Sequence, residues 1–138
     1  MIKTFFHGVM FHHFHNNNGI HKKSQGSIDR NQLIRIIKKI GRKNILDSDI
    51  FLERFIKKKL KQSDVCLTFD DGLKCQFDIV LPVLQKYKIK AFFFVSTSHF
   101  TKDKNANYIE LFRFFRNYFY KDINNYYKNF FKYLDFDL

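Results

Sequence analysis

Two short apolar runs constrain the fold more than anything else in the chain. Val65-Cys66-Leu67-Thr68-Phe69 and Ala91-Phe92-Phe93-Phe94-Val95 are nearly continuous in buried-type residues, the pattern of strands covered on both faces, as in parallel sheets. Between them, Lys74 to Tyr87 has helical spacing, with Ile79, Val80, Val83 and Leu84 on one side. Strand, helix and strand over about thirty residues predict a βαβ crossover with parallel pairing and a right-handed connection. Pro82 lies inside this helix and predicts a kink or a restart, because proline brings no backbone donor.

The flanking segments extend the same alternation. Gly8 to Phe14 reads as a first strand that ends among His12, His13 and His15, and Asn16 to Gly26 reads as a polar loop. Ser27 or Asp29 can cap a helix from Arg30 to Ile40, where Leu33, Ile34, Ile36, Ile37 and Ile40 form a stripe. Gly41 then supplies the residue that a helix C-terminus wants at positive φ. A second helix is expected from Ser48 or Asp49 to Lys59, its lysines forming a solvated face. Two further helices are expected at Tyr108 to Tyr120 and Ile123 to Leu134. Their aromatic stripes (Tyr108, Leu111, Phe112, Phe115, Phe119; then Ile123, Tyr126, Tyr127, Phe130, Phe131, Leu134) suit a core, a membrane-surface face or a sugar-stacking platform.

A chain of 138 residues fits one domain with a modest core. Its 19 Phe and 7 Tyr without Trp, beside many Lys, Asn and Ile, have the look of a coding bias, which also accounts for part of the net charge of +12. Such a charge still concentrates anions near the surface. The lysines are spread along the chain without a dense basic arm, which argues against dedicated nucleic-acid binding. Cys66 and Cys75 have neither redox nor metal-ligand spacing, so a disulfide-stapled secreted domain is not indicated. The opening Met1-Ile2-Lys3-Thr4-Phe5-Phe6-His7 lacks the apolar stretch and cleavage site of a signal peptide, and no run reaches the length of a membrane span. The expected location is the cytoplasm, with peripheral association at an anionic inner membrane face as a further expectation.

Chemistry concentrates at Thr68-Phe69-Asp70-Asp71-Gly72. Sites of parallel α/β proteins form where strands end at their carboxyl side. Neighbouring residues of an extended chain point to opposite sides, so one carboxylate can hold a divalent cation while the other faces water. A bound metal lowers the pKa of its water, and a carboxylate beside it can take the proton. Gly72 allows a sharp turn and close approach to a ligand. A bare Asp pair before a helix serves equally well as a helix cap.

The context of the pair resembles the polysaccharide deacetylase family, also called the NodB-homology or carbohydrate esterase 4 family. Val65-Cys66-Leu67-Thr68-Phe69-Asp70-Asp71-Gly72-Leu73, followed by Leu81-Pro82-Val83-Leu84 through Ala91-Phe92-Phe93-Phe94-Val95, is similar to its opening motif, with the closest match over residues 62 to 96. Val9-Met10-Phe11-His12 is similar to an aromatic-histidine strand found early in many members. The resemblance implies a partial (β/α) barrel in a single, incomplete domain spanning 1–138, and a hydrolase that removes N-acetyl or similar acyl groups from an amino sugar or polysaccharide. It implies Asp70 as the catalytic base and Asp71 as a ligand of a divalent metal, zinc in the first instance, with His12, Gly72 and His99 lining the site.

The sequence also departs from that pattern. The family completes its metal site with a His-Ser/Thr-x-x-His motif, and none follows Asp71; His99 is the only later histidine. His12 is the best of the early histidines by its match to the first strand, ahead of His13 and His15, with His7 and His21 behind them. A barrel takes about 200 residues or more, so the chain is expected to supply the first half. Two readings stay open: a deacetylase carried here in part, and an inactive remnant or a module binding glycans or anionic surfaces.

Overall fold

The computed structural model describes residues 6–17, 19–97 and 108–133. The described residues fall into two compact units, one within 6–22 and 26–96 and the other within 23–25, 97 and 108–133.

The first unit is a three-stranded parallel sheet with helical crossovers. Strand β1 (Gly8–Phe11) pairs with β2 (Cys66–Asp70), which pairs with β3 (Phe92–Phe94), in the spatial order β1-β2-β3. Each strand is added on the same side of its predecessor. That is the winding of a (β/α) barrel rather than of a sheet whose order reverses at its middle, and it agrees with the expected partial barrel. The connection from β1 to β2 carries α1 (Arg30–Ile40), a short 3₁₀ turn (Arg42–Asn44) and α2 (Ser48–Ile56); β2 reaches β3 through α3 (Leu81–Tyr87).

Local chemistry explains most boundaries. Asp29 caps α1 with a capping box: its carboxylate accepts from the Gln32 N–H, and the Gln32 side chain accepts from the Asp29 N–H. Gly41 follows at φ 85°. Helix α2 stops at Ile56, three residues short of the expected end. Lys58 takes φ 53° and the Lys59 N–H closes back on the Arg54 carbonyl, the wrapped-back geometry of a Schellman end. Strand β1 also ends early, at Phe11 instead of Phe14. Phe14 forms a separate bridge to Ile28, with His15 and Ile28 donating to the carbonyls of Ile28 and His13. Ahead of α3 the chain makes a π-helical turn, Gln76–Val80, and Pro82 sits in the first turn of α3. Proline leaves the carbonyl four residues before it without a helical donor, and the wider turn is where the expected restart falls.

The core of this unit is contributed by α1, β1, β2 and the π-turn–α3 segment, with Ile45 and Ile89 from the connections, while α2 and β3 add no buried residue. Leu33 and Ile37 of α1, Ile45, Leu67 and Phe69 of β2, and Val80, Val83 and Leu84 are all essentially inaccessible. Arg42 ties the crossover together: its guanidinium donates to the carbonyls of Tyr87, Ile45 and Lys88 and to the Asp47 carboxylate. Asp47 in turn accepts from the Lys90 N–H at the entry to β3.

The second unit contains α4 (Tyr108–Phe119) and α5 (Ile123–Tyr133), close to the expected spans. Asp122 caps α5 by accepting from the Asn125 N–H. Tyr126 is buried at the centre of an aromatic cluster, edge-on to Phe112 and Tyr120 and stacked with Phe130. Among the described residues, no helix is long and apolar enough to cross a membrane.

Candidate functional site

The site follows from strand register. Phe11 of β1 stands opposite Phe69 of β2, which stands opposite Phe93 of β3. The three rings form a ladder, with centroids 5.3 Å apart for Phe11–Phe69 and 4.9 Å for Phe69–Phe93, both pairs stacked. Cross-strand aromatic pairs of this kind pin register, since a slip of one residue would turn each ring to the other face. The next step towards the carboxyl end is therefore determined: His12 leaves β1 where Asp70 ends β2.

The side chains converge accordingly. His12 Nε2 lies 3.9 Å from Asp70 Oδ2 and 3.9 Å from Asp71 Oδ2, and each of the three side chains is roughly a quarter to a third exposed (29%, 26% and 30%). Asp70 turns one oxygen towards the histidine, while its Oδ1 is buried and accepts no hydrogen bond.

The turn after β2 gives the pair its directions. Asp71 has φ 76° and Gly72 φ 62°, two successive left-handed residues that swing the chain away from the strand. For Asp71 this conformation is uncommon, and such strain gathers at functional positions. For Gly72 it combines with close approach: a Cβ there would meet Val95 Cγ1 at 2.9 Å. Gly72 therefore shapes the turn and its packing on the segment after β3.

The other expected residues separate clearly. His13 is buried, with its ring 6.3 Å from that of His12 and 4.8 Å from that of His21. His15 shares a 2.9 Å hydrogen bond with Ser27. His7 sits at the opposite, amino end of the sheet, where its Nδ1 donates to the Asp64 carbonyl at 2.7 Å. His99 lies outside the described residues.

Sequence reasoning missed Gln76. It is 1% exposed, and its Nε2 donates to the carbonyls of both His12 (2.8 Å) and Asp70 (2.5 Å). A signal existed: positions 76, 79, 80, 83 and 84 form one helical stripe, and Gln76 is the polar member of an otherwise apolar row.

The donor set fits a divalent metal in part. Asp71 offers a carboxylate and His12 an imidazole, both ordinary zinc ligands. Two donors to one tetrahedral ion stand about 3.4 Å apart, so the 3.9 Å separation needs a movement of only about half an ångström. A structural or catalytic site takes at least three protein ligands, so these two residues alone would not complete one.

Comparison with known proteins agrees with this architecture. Residues 57–114 match the polysaccharide deacetylase family, a span that contains Asp70, Asp71, Gly72 and Gln76 and begins after His12. A deacetylase of Streptococcus pyogenes, PplD, solved in complex with acetate, superposes with TM-score 0.55 at 17% identity, over 81% of this chain and 52% of that one. A de-N-acetylase from Aggregatibacter actinomycetemcomitans is similar at 23% identity over 64% of this chain and 36% of that one, with TM-score 0.49. No curated protein sequence matches. The matched segment and the fold resemble the N-terminal portion of a NodB-type polysaccharide deacetylase domain, and the chain spans about half or less of the length of these two solved proteins.

Proposed function

We propose that the carboxyl end of the sheet is a metal-assisted deacylation site, removing acetyl or a similar acyl group from the nitrogen of an amino sugar or polysaccharide. The observation that carries this reading is the convergence of His12, Asp70 and Asp71 on one strand end, within a chain matched to the deacetylase family. In this reading Asp70 accepts the proton of a water as that water's oxygen attacks the acyl carbon. Its partly exposed side chain, with Oδ2 turned towards His12, suits that role. The carbon–nitrogen bond then breaks, the acyl group leaves as the carboxylic acid, and the proton taken up by Asp70 becomes available to the departing amine. Asp71 and His12 would contribute to holding a divalent ion, which would supply positive charge against the negative charge developing on the acyl oxygen.

The test is acetate release from an N-acetylated glucosamine oligosaccharide with added zinc or cobalt, comparing the wild type with Asp70→Asn. The variant should lose about 100-fold or more in rate, the range of a removed general base. Activity that survives Asp70→Asn, or its absence with every divalent metal, contradicts the mechanism.

We further propose weak attraction of the chain to anionic surfaces. Its support is the net charge of +12 together with the exposed Phe119, Tyr127, Phe131 and Tyr133 of α4 and α5, with Lys128 and Lys132 alongside. Sedimentation with phosphatidylserine vesicles should fall steeply as salt rises; binding insensitive to salt contradicts it.

A further inference from the structure

We infer that Gln76 is a positioning residue for the deacylation site, acting through the backbone that carries His12 and Asp70. The inference rests on the deacylation reading for its activity readout but not for its spectroscopic one. The β1–β2 ladder ends here, with Phe11 and Phe69 as the last mutual partners, while Asp70 still pairs with Phe94 of β3 on its other side. One residue further on, no β1–β2 ladder bond ties His12 to Asp70. The Gln76 amide spans that gap, one nitrogen serving the carbonyl oxygens of both.

The orientation of the amide is settled by chemistry. Both partners are acceptors, so the NH₂ group must face them, and a flipped amide would set three oxygens together. This choice leaves Gln76 Oε1 buried with no hydrogen-bond partner. A buried acceptor without a donor is costly, and here it accompanies two satisfied carbonyls. An apolar side chain would continue the buried stripe of Ile79, Val80, Val83 and Leu84 but would take this donor from the His12 and Asp70 carbonyls. What a glutamine adds is a fixed distance between the two strand ends, and with it the placement of the imidazole against the carboxylates.

The local helix form serves the same end. Gln76 opens the π-helical turn Gln76–Val80, and single π turns inside helices recur at functional sites. The Gln76 N–H closes a tight turn onto the Leu73 carbonyl, bringing the side chain back under the Asp70-Asp71-Gly72 turn. The three observations concern one residue: a double hydrogen bond, a tolerated orphan and a widened turn. Together they describe a clamp on the site-bearing backbone.

The experiment uses the full chain and two variants. Gln76→Met keeps length and volume without the donors; Gln76→Asn keeps the amide but is one methylene too short to reach both carbonyls. In the wild type, NMR couplings across the hydrogen bonds should connect Gln76 Nε2 to the carbonyl carbons of both His12 and Asp70. In both variants the His12 ring and Asp70 carboxylate signals should shift while the circular dichroism spectrum is kept, and kcat for acetate release should fall about 10–100-fold at unchanged KM, the scale for lost supporting hydrogen bonds. Missing couplings, unmoved His12 and Asp70 signals, or unchanged kcat in folded variants overturn the inference. Unfolding of both variants also overturns it, leaving Gln76 a purely structural residue. If the wild type releases no acetate with any metal, the deacylation reading fails while the NMR readout still decides whether Gln76 sets the strand ends.

Discussion

Replacing Gly72 with alanine isolates the physical demand that the Asp70-Asp71-Gly72 turn makes on its sequence. Gly72 has φ 62°, and an L-residue there costs about 1–2 kcal/mol. The new methyl would also lie 2.9 Å from Val95 Cγ1 and 3.3 Å from its Cγ2. Relief requires Val95 to leave its rotamer, at about 1 kcal/mol. Alanine returns about 0.4–1 kcal/mol by restricting the unfolded chain, so the net loss should be about 2 kcal/mol. Val95 is half exposed (52%), so trimming it to alanine has a small cost of its own and removes the contact. Gly72→Ala should therefore cost about 1 kcal/mol less in a Val95→Ala background, a coupling that a double-mutant cycle read by urea unfolding resolves. A Gly72→Ala variant within 0.5 kcal/mol of wild type, or an equal loss in both backgrounds, refutes the turn geometry.

Two further perturbations probe the frame that holds the site. Asp64 is buried, which pushes its carboxyl up, but the Lys61 N–H and the Arg54 guanidinium at 2.9 Å outweigh this and hold it below its ordinary value. A lowered folded pKa stabilises fully above the unfolded value of about 4 and is lost as pH falls through the folded one. Wild-type stability should accordingly drop below about pH 4, and Asp64→Asn should flatten that part of the pH–stability curve; an unchanged slope contradicts the pairing. Arg42 serves three carbonyls and Asp47 with one planar group, which lysine cannot reproduce. Arg42→Lys should cost about 2–3 kcal/mol by thermal or urea unfolding, and a loss below 0.5 kcal/mol contradicts that role.

What could be read from the sequence was what is local. Val65 to Phe69 and Ala91 to Val95 announced strands by composition alone, with the carboxylates in one motif between them, but only the first is buried: Phe93, Phe94 and Val95 are 40%, 56% and 52% exposed at the edge of the sheet. His12 could be suspected only by analogy, because its meeting with Asp70 depends on a strand register set across more than fifty residues of chain by the Phe11–Phe69 pair. Phe14 misled in the opposite direction. It continued the apolar pattern of β1, yet its partner is Ile28 in a separate bridge, a choice no periodicity records. Pro82 marked a break in the helix without revealing its form, since a π turn has no residue signature of its own. Gln76 escaped because a buried glutamine and a solvent-facing one look alike until the carbonyls it serves are in place.

The most direct test of the account is where a paramagnetic divalent ion binds. Titrating cobalt(II) into the isotope-labelled chain should broaden the signals of His12, Asp70, Asp71 and Gly72 first, and Asp71→Asn should abolish that effect without unfolding the protein, since asparagine tolerates the same left-handed conformation. Broadening that spares residues 70–72, centres on His7 or His15, or persists in Asp71→Asn contradicts the claim that the carboxyl end of β2 is the metal-assisted site.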